Sequence, residues 1–207
     1  MAARLLSYAQ VLTSTRQHLI LVLVSSLLAI MAAVPLGIMI SRPQFRKAGF
    51  LIENVINVAQ TIPSLAILAL FMTILGLGFN TAIFALWCYS LLPILRNTFA
   101  GIKNVPEGAI QAAKGMGMTP WHILRRIELP LAYPIVMAGI RTAVVINVGT
   151  ATLATFISAG GLGELIVTGI SVGRDSLIIA GALLSAIMAI LFDHILGQVE
   201  AVLTGNN

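Results

Sequence analysis

Long apolar runs separated by short polar segments set the pattern of this chain. Five stand out: Leu19–Ile40, Phe50–Leu75, Thr81–Phe99, Ala132–Ile157 and Leu177–Leu196. At 1.5 Å per residue, each is about long enough to cross a bilayer core of about 30 Å. Backbone groups find no water inside lipid, and the alternation of membrane strands is absent, so the pattern predicts helices. The expected fold class is an all-α membrane protein of about five transmembrane helices, with residues 19–196 forming one membrane domain. The first run, about 22 residues, exceeds the apolar core of a secretory signal, and no cleavable signal is expected. Residues 1–18 can be read as an interfacial helix lying on the membrane surface. Residues 197–207 read as a short tail.

Composition changes the solvent and little else. Of 207 residues, 58% are hydrophobic and 9% charged, with a mean hydropathy of +1.00. A soluble domain carries about 25% charged residues, so lipid is the medium these numbers require. The net charge of +5 is too thinly spread for a nucleic-acid surface and reads instead as a topology signal. The first and third connections hold Arg42, Arg46, Lys47, Arg96, Lys103, Lys114, Arg125 and Arg126. The opposite side has Arg4, Arg16 and Arg174, about eight against three. This places the N-terminus outside, the C-terminus inside and the connections after the first and third spans in the cytoplasm. Cys88 is the lone cysteine, in an apolar run, and reads as a small buried hydrophobe.

The third connection, residues 101–130, has its own internal pattern. "EGAIQAAK" is rich in helix formers and follows Pro106, which suits a helix start. Gly115 and Gly117 can end that helix with positive φ. "TPWHILRRI" reads as a second helical piece, capped by Thr119 with Pro120 in the first position. "LPLAYP" is expected to break the chain before the next span. Spacing alone fits a docking module and an ordinary amphipathic loop equally well.

At this point the residues resemble a known pattern. The EAA loop of bacterial ABC-importer permeases runs E-A-A, three residues, G, nine residues, I-x-L-P. Here Gln111-Ala112-Ala113, Gly117 and Ile127-Glu128-Leu129-Pro130 stand at those spacings. Glutamine replaces the usual glutamate, keeping length and hydrogen bonding but losing charge. The stretches "AAVPLGIMISRP", "QTIPSLAIL", "LPILRNTFAGI", "MAGIRTA" and "TATLATFISAGGLGELI" extend the resemblance over about Leu19–Leu196. Together they look like the osmoprotectant branch, which imports glycine betaine, choline and carnitine. A methionine-type permease is the competing reading on substrate. The resemblance implies a MetI-like type I importer fold in the bacterial inner membrane. It implies two copies of a separate ATPase, a second permease subunit, identical or paralogous, and an extracytoplasmic solute-binding protein. It assigns ATPase coupling to Gln111, Ala112, Ala113, Gly117, Met118, Trp121, Ile127, Leu129 and Pro130. Met116, Met118, Trp121 and Ile123 are the expected packing anchors of the loop.

The chain has no G-x-x-x-x-G-K-[ST] phosphate cradle, metal-ligand cluster or catalytic triad. The expectation is a transport subunit and not an enzyme, with no cofactor of its own and with ATP and Mg on the partner. An ATP-independent dimeric transporter or channel is the alternative, and the matched loop spacing argues against it. Within the spans, Glu53, Asn57, Gln60 and Ser64 follow at i, i+4, i+7 and i+11, about 60° of arc on one continuous helix. With Thr61, they are candidates to line a translocation path, or else to bond neighbouring helices. Pro63 adds a kink. Asn147 and Thr150 are the path candidates of the fourth span. Arg141 is read as snorkelling or pairing with an acid, and Asp193 and His194 as interfacial. "SAGGLGELI" is read as a tight, re-entrant turn or a plain loop. Aromatic residues make up 6% and show no cluster along the chain, so solute specificity is expected in the binding protein. If the charge asymmetry sets orientation, a cysteine placed at Lys114 labels only from the cytoplasm and one at Asn80 only from outside. The reverse labelling pattern would invert the topology.

Overall fold

The computed structural model describes residues 8–59 and 61–204, and all of its regular elements are helical. The helices are α1 (Tyr8–Ile40), α2 (Arg46–Ala59), α3 (Ser64–Leu75), α4 (Phe79–Lys103), α5 (Glu107–Gly115), α6 (Pro120–Ile123), α7 (Leu129–Ala151), α8 (Leu162–Val172) and α9 (Asp175–Thr204). A π turn, Leu124–Glu128, joins α6 to α7, and a 3-10 turn, Thr152–Ile157, extends α7. Four stretches are long and apolar enough to cross a membrane: Tyr8–Ile40, Phe79–Lys103, Pro120–Ile157 and Asp175–Leu203.

The remaining predicted span is not one helix. Residues Phe50–Leu75 divide into α2 and α3 at Thr61–Pro63, where Thr61 N–H closes a tight turn on the Val58 carbonyl at 3.0 Å. Pro63 has no N–H to continue a helix, and it sits as the N-cap of α3 instead. With 14 and 12 residues, neither half alone reaches across a core of about 30 Å. The predicted kink is therefore a full break.

Elsewhere the chain is more continuous than its prolines suggest. "LPLAYP" does not interrupt the helix: α7 starts at Leu129 and runs through Pro134. Pro130 cannot donate to the carbonyl four residues back, and its ring crowds that carbonyl. The π turn absorbs the mismatch, since Leu129 N–H bonds Leu124 O, five residues back. At the N-terminal end, Tyr8–Leu19 belongs to α1 and is not a separate helix, and α9 extends eight residues beyond Leu196 to Thr204. "SAGGLGELI" is a short turn followed by α8, which is 11 residues long.

The chain divides into two compact units. One takes α1 as far as Ala29, Ile62–Ser90 and Val144–Asp193; the other takes Ile30–Thr61, Leu91–Ala143 and α9 from His194. In the second unit, a Cβ at Gly139 would collide with the Asn97 side chain, so α7 and α4 touch through a missing side chain. In the first, Gly163 of α8 lies against the Thr152 carbonyl in the same way.

Two adjacent side chains of α1 hold the turn before α8. Gln17 Oε1 accepts from Gly161 N–H at 3.2 Å, and His18 Nδ1 accepts from Leu162 N–H at 3.3 Å. These are two of the orphan donors at the start of α8. With Nδ1 accepting, Nε2 carries the proton and donates to the Val148 carbonyl at 3.0 Å. His18 is fully buried. Gly160, at φ +74°, has no room for a side chain because Gln17 occupies the space. His18→Leu keeps the bulk and removes both bonds. It is expected to destabilise the chain by about 1–3 kcal/mol for each group left unpaired. Thermal unfolding in detergent reads this, and an unchanged midpoint would show that the ring only fills space.

Candidate functional site

Helix α5 begins after Pro106, and Glu107 in its first turn suits the positive end of the helix dipole. Its end is closed by two bonds: Met118 N–H to Ala113 O at 3.1 Å and Gly117 N–H to Lys114 O at 2.9 Å. That is the Schellman pattern, with Gly117 at φ +76° in the left-handed position. Gly115 remains inside the helix, so Gly117 alone makes the reversal. Thr119 then caps α6 by accepting from His122 N–H at 3.4 Å, with Pro120 in the first helical position. The local signals of residues 107–123 thus act as the sequence reading expects.

Around this turn the side chains separate into two sets. Ala113 and Ile123 are buried, Met118 is half-buried, and Ile127 and Leu129 are partly covered. Met116 is 72% exposed and Trp121 64% exposed, with Gln111, Ala112 and Pro130 also exposed. Met116 and Trp121 are therefore not anchors packed within the loop. They form an apolar surface carried by a well-bonded turn. Gln111 Nε2 donates to Glu107 Oε1 at 3.2 Å, one helical turn back. The i, i+4 spacing of Glu107 and Gln111 could have shown this contact.

Behind the exposed face lies an ion pair the sequence reading missed. Arg42, just after α1, meets Glu128 of the π turn through two bonds, Nη1 to Oε1 at 3.0 Å and Nη2 to Oε2 at 2.6 Å. The Glu128 side chain is 7% exposed and that of Arg42 27%. Bidentate geometry and a nearly buried carboxylate place this pair among strong charge-assisted contacts. Removing one partner of a buried pair typically costs about 3–5 kcal/mol, because the other charge is stranded. The two residues are 86 positions apart, and no periodicity links them. A second pair joins Arg141 Nη1 to Glu200 Oε2 at 3.0 Å, which settles Arg141 as paired with an acid.

Of the path candidates, the structure describes the side chains of Thr61, Ser64, Asn147 and Thr150. Gln60 lies outside the described residues, as do the side chains of Glu53 and Asn57. The break at Thr61–Pro63 ends the continuous helix that their shared face required. Thr61 is exposed and its hydroxyl turns back to Val58 O at 2.7 Å; Ser64 opens α3, half-buried. Asn147 is fully buried, and its Nδ2 donates to Ser25 Oγ at 2.8 Å and Ser26 Oγ at 2.9 Å. It joins α7 to α1. Thr150 is buried too, its hydroxyl bonded to Ile146 O. The fold does gather aromatics that look scattered in sequence. The Phe71 and Phe84 rings meet at 4.9 Å, and Phe84 and Trp87 at 5.2 Å. The last two, with Leu28, Asn80 and Ile83, line an apolar cleft of about 190 Å³.

Comparison with known proteins places this geometry. The sequence model of the inner membrane components of binding-protein-dependent transport systems matches residues 33–203. The chain belongs to that family. This permease is 48% identical over 188 residues to the carnitine transport permease protein OpuCD of Listeria monocytogenes, covering 90% of its own length and 83% of the relative's. It is 45% identical over 195 residues to the glycine betaine/carnitine/choline permease OpuCB of Bacillus subtilis, covering 94% and 89%. In structure it resembles a chain from inward-facing conformations of the MetNI methionine ABC transporter. The TM-score is 0.86 at 22% identity, over 99% of this chain and all of that one, a likeness of fold. The permease is a multi-pass component of the inner membrane.

The reversal at Gly117 can be tested directly. A Cβ there meets nothing within 4 Å, so substitution is resisted by backbone conformation alone. Gly117→Ala is expected to cost about 1 kcal/mol in this left-handed position, read as a lowered unfolding midpoint. Gln111→Glu places a second carboxylate one turn from Glu107, a repulsion of a few tenths of a kcal/mol. It is expected to insert and fold normally. A large loss of stability in Gln111→Glu would contradict the solvent-facing placement of α5.

Proposed function

We propose that this permease is the membrane half of an ATP-driven importer for small quaternary-ammonium osmoprotectants, coupled to a separate ATPase through residues 107–130. The observation that carries the coupling role is the capped α5–α6 reversal. It holds Met116 and Trp121 out to solvent instead of packing them inward. Exposed aromatic and methionine side chains on a rigid support are the usual anchors of a protein interface. Glu107, beside Gln111, offers the acidic contact to a basic group on that partner.

The partners are two ATPase copies carrying ATP and Mg, a second permease subunit, identical or paralogous, and a solute-binding protein outside. Closure of the ATPase dimer on ATP moves the docked segments, and the two permease subunits rock between inward-open and outward-open states. Hydrolysis resets them. The solute class rests on the relatives at 45–48% identity, whose names specify carnitine, choline and glycine betaine. The likeness to a methionine transporter, at 22%, bears on fold alone.

Co-purification with the ATPase, together with ATP-driven uptake into vesicles supplied with the binding protein, tests both parts. Trp121→Asp is expected to insert normally and to lower recovered ATPase at least tenfold. Full recovery would remove the docking role. Uptake of methionine in place of betaine, choline and carnitine would remove the solute class.

A further inference from the structure

We propose that Arg42 and Glu128 form a permanent tie, so that the end of α1 moves as one piece with the ATPase-coupling segment throughout the transport cycle. The proposal rests on the coupling role of residues 107–130 and adds the route by which their movement reaches a membrane helix.

Three observations carry it. The pair is bidentate, with Nη1 on Oε1 at 3.0 Å and Nη2 on Oε2 at 2.6 Å. Such a contact resists rotation as well as separation, which a single lysine–carboxylate bond does not. Next, Glu128 sits on the π turn, five residues past Ile123 and directly before α7. Displacement of the α5–α6 reversal passes through this turn, and π turns recur at functional positions in helices. Finally, the Glu128 side chain is 7% exposed, so opening the pair would strand a carboxylate away from water. That burial separates a tie from a switch. A contact made and broken in each turnover would sit where water can replace the lost partner. Arg42 also lies just beyond the C-terminal end of α1, where a cation is favoured by the helix dipole. Both residues are positioning residues: neither is assigned to touch solute or nucleotide.

The experiment uses the assembled importer in vesicles and reads three quantities: ATPase recovered with the permease, ATP hydrolysed, and solute taken up. Arg42→Lys keeps the charge and loses the fork. It is expected to retain ATPase at the wild-type level while uptake per ATP falls about tenfold. In a Cys88→Ala background, the double variant Arg42→Cys with Glu128→Cys is expected to be similarly uncoupled. A short reducible thiol cross-linker is expected to restore uptake per ATP to within about twofold of the background, and reductant to remove the gain. Unchanged uptake per ATP in Arg42→Lys would overturn the tie. So would loss of bound ATPase in that variant, because the pair would then shape the docking surface instead of transmitting from it. Failure of the cross-link to restore coupling would show a contact that must open, and would overturn it as well. Gly117→Asp is measured beside these. Normal ATPase recovery and uptake in Gly117→Asp would bring down the coupling reading itself, whereas its failure together with a fully coupled Arg42→Lys removes only the tie.

Discussion

Inside a bilayer, a backbone amide has only other protein groups to bond, and this constraint decides where the chain stays helical and where it departs. Each departure carries its own compensation. At Thr61–Pro63, the proline has no N–H to satisfy, and a tight turn takes up the Thr61 N–H. At Leu124–Glu128, the ladder shifts to a five-residue spacing ahead of Pro130. After α7 the helix tightens into the 3-10 turn and ends at Ser158 in the left-handed region, with Ala159 N–H returning to Ala154 O at 3.1 Å. The donors at the start of α8 are met from α1, by Gln17 and His18. Gly160 has no room for a side chain because Gln17 comes so close, and Gly161, at φ +89°, lies against His18.

The same scarcity of water gives some buried polar side chains a mechanical role. Asn147 bonds two serines of α1, and His18 joins Val148 to Leu162. Such contacts are geometrically specific where dispersion between apolar helices is not, so they select one packing among many of similar area. The two ion pairs described, Arg42–Glu128 and Arg141–Glu200, belong to the same unit, which also contains the coupling segment. Both are contacts that are costly to break at the edge of an apolar medium.

On the proposed function, the segment of residues 107–130 joins two requirements that pull in opposite directions. It has to be rigid, which the glycine reversal, the Thr119 cap and the buried Ala113 and Ile123 provide. It has also to present a sticky surface, which leaves Met116 and Trp121 in water. An isolated chain tolerates that exposure at a cost in solubility, and the cost is recovered when a partner covers the patch.

Helical class, membrane residence and family were legible in the residues because each depends on composition and local spacing. Apolar run length decides spanning, and the fixed intervals from Gln111 to Pro130 carry the resemblance. The caps at Pro106, Gly117 and Thr119 were equally legible, since a cap acts within one turn of its own position. What required the tertiary structure was every relation between distant residues. The shared polar face drawn through Glu53, Asn57, Gln60 and Ser64 assumed an unbroken helix, and Pro63 removed that assumption. The reverse happened at Pro130 and Pro134, where a π turn let the helix continue. Phe71 met Phe84 only when α3 packed against α4, and Asn147 found its serine partners only once α1 lay beside it. Arg42 and Glu128, 86 residues apart, carry no mark of each other in sequence. Local rules set backbone shape residue by residue, but a contact between two side chains exists only after the helices that bear them have been placed.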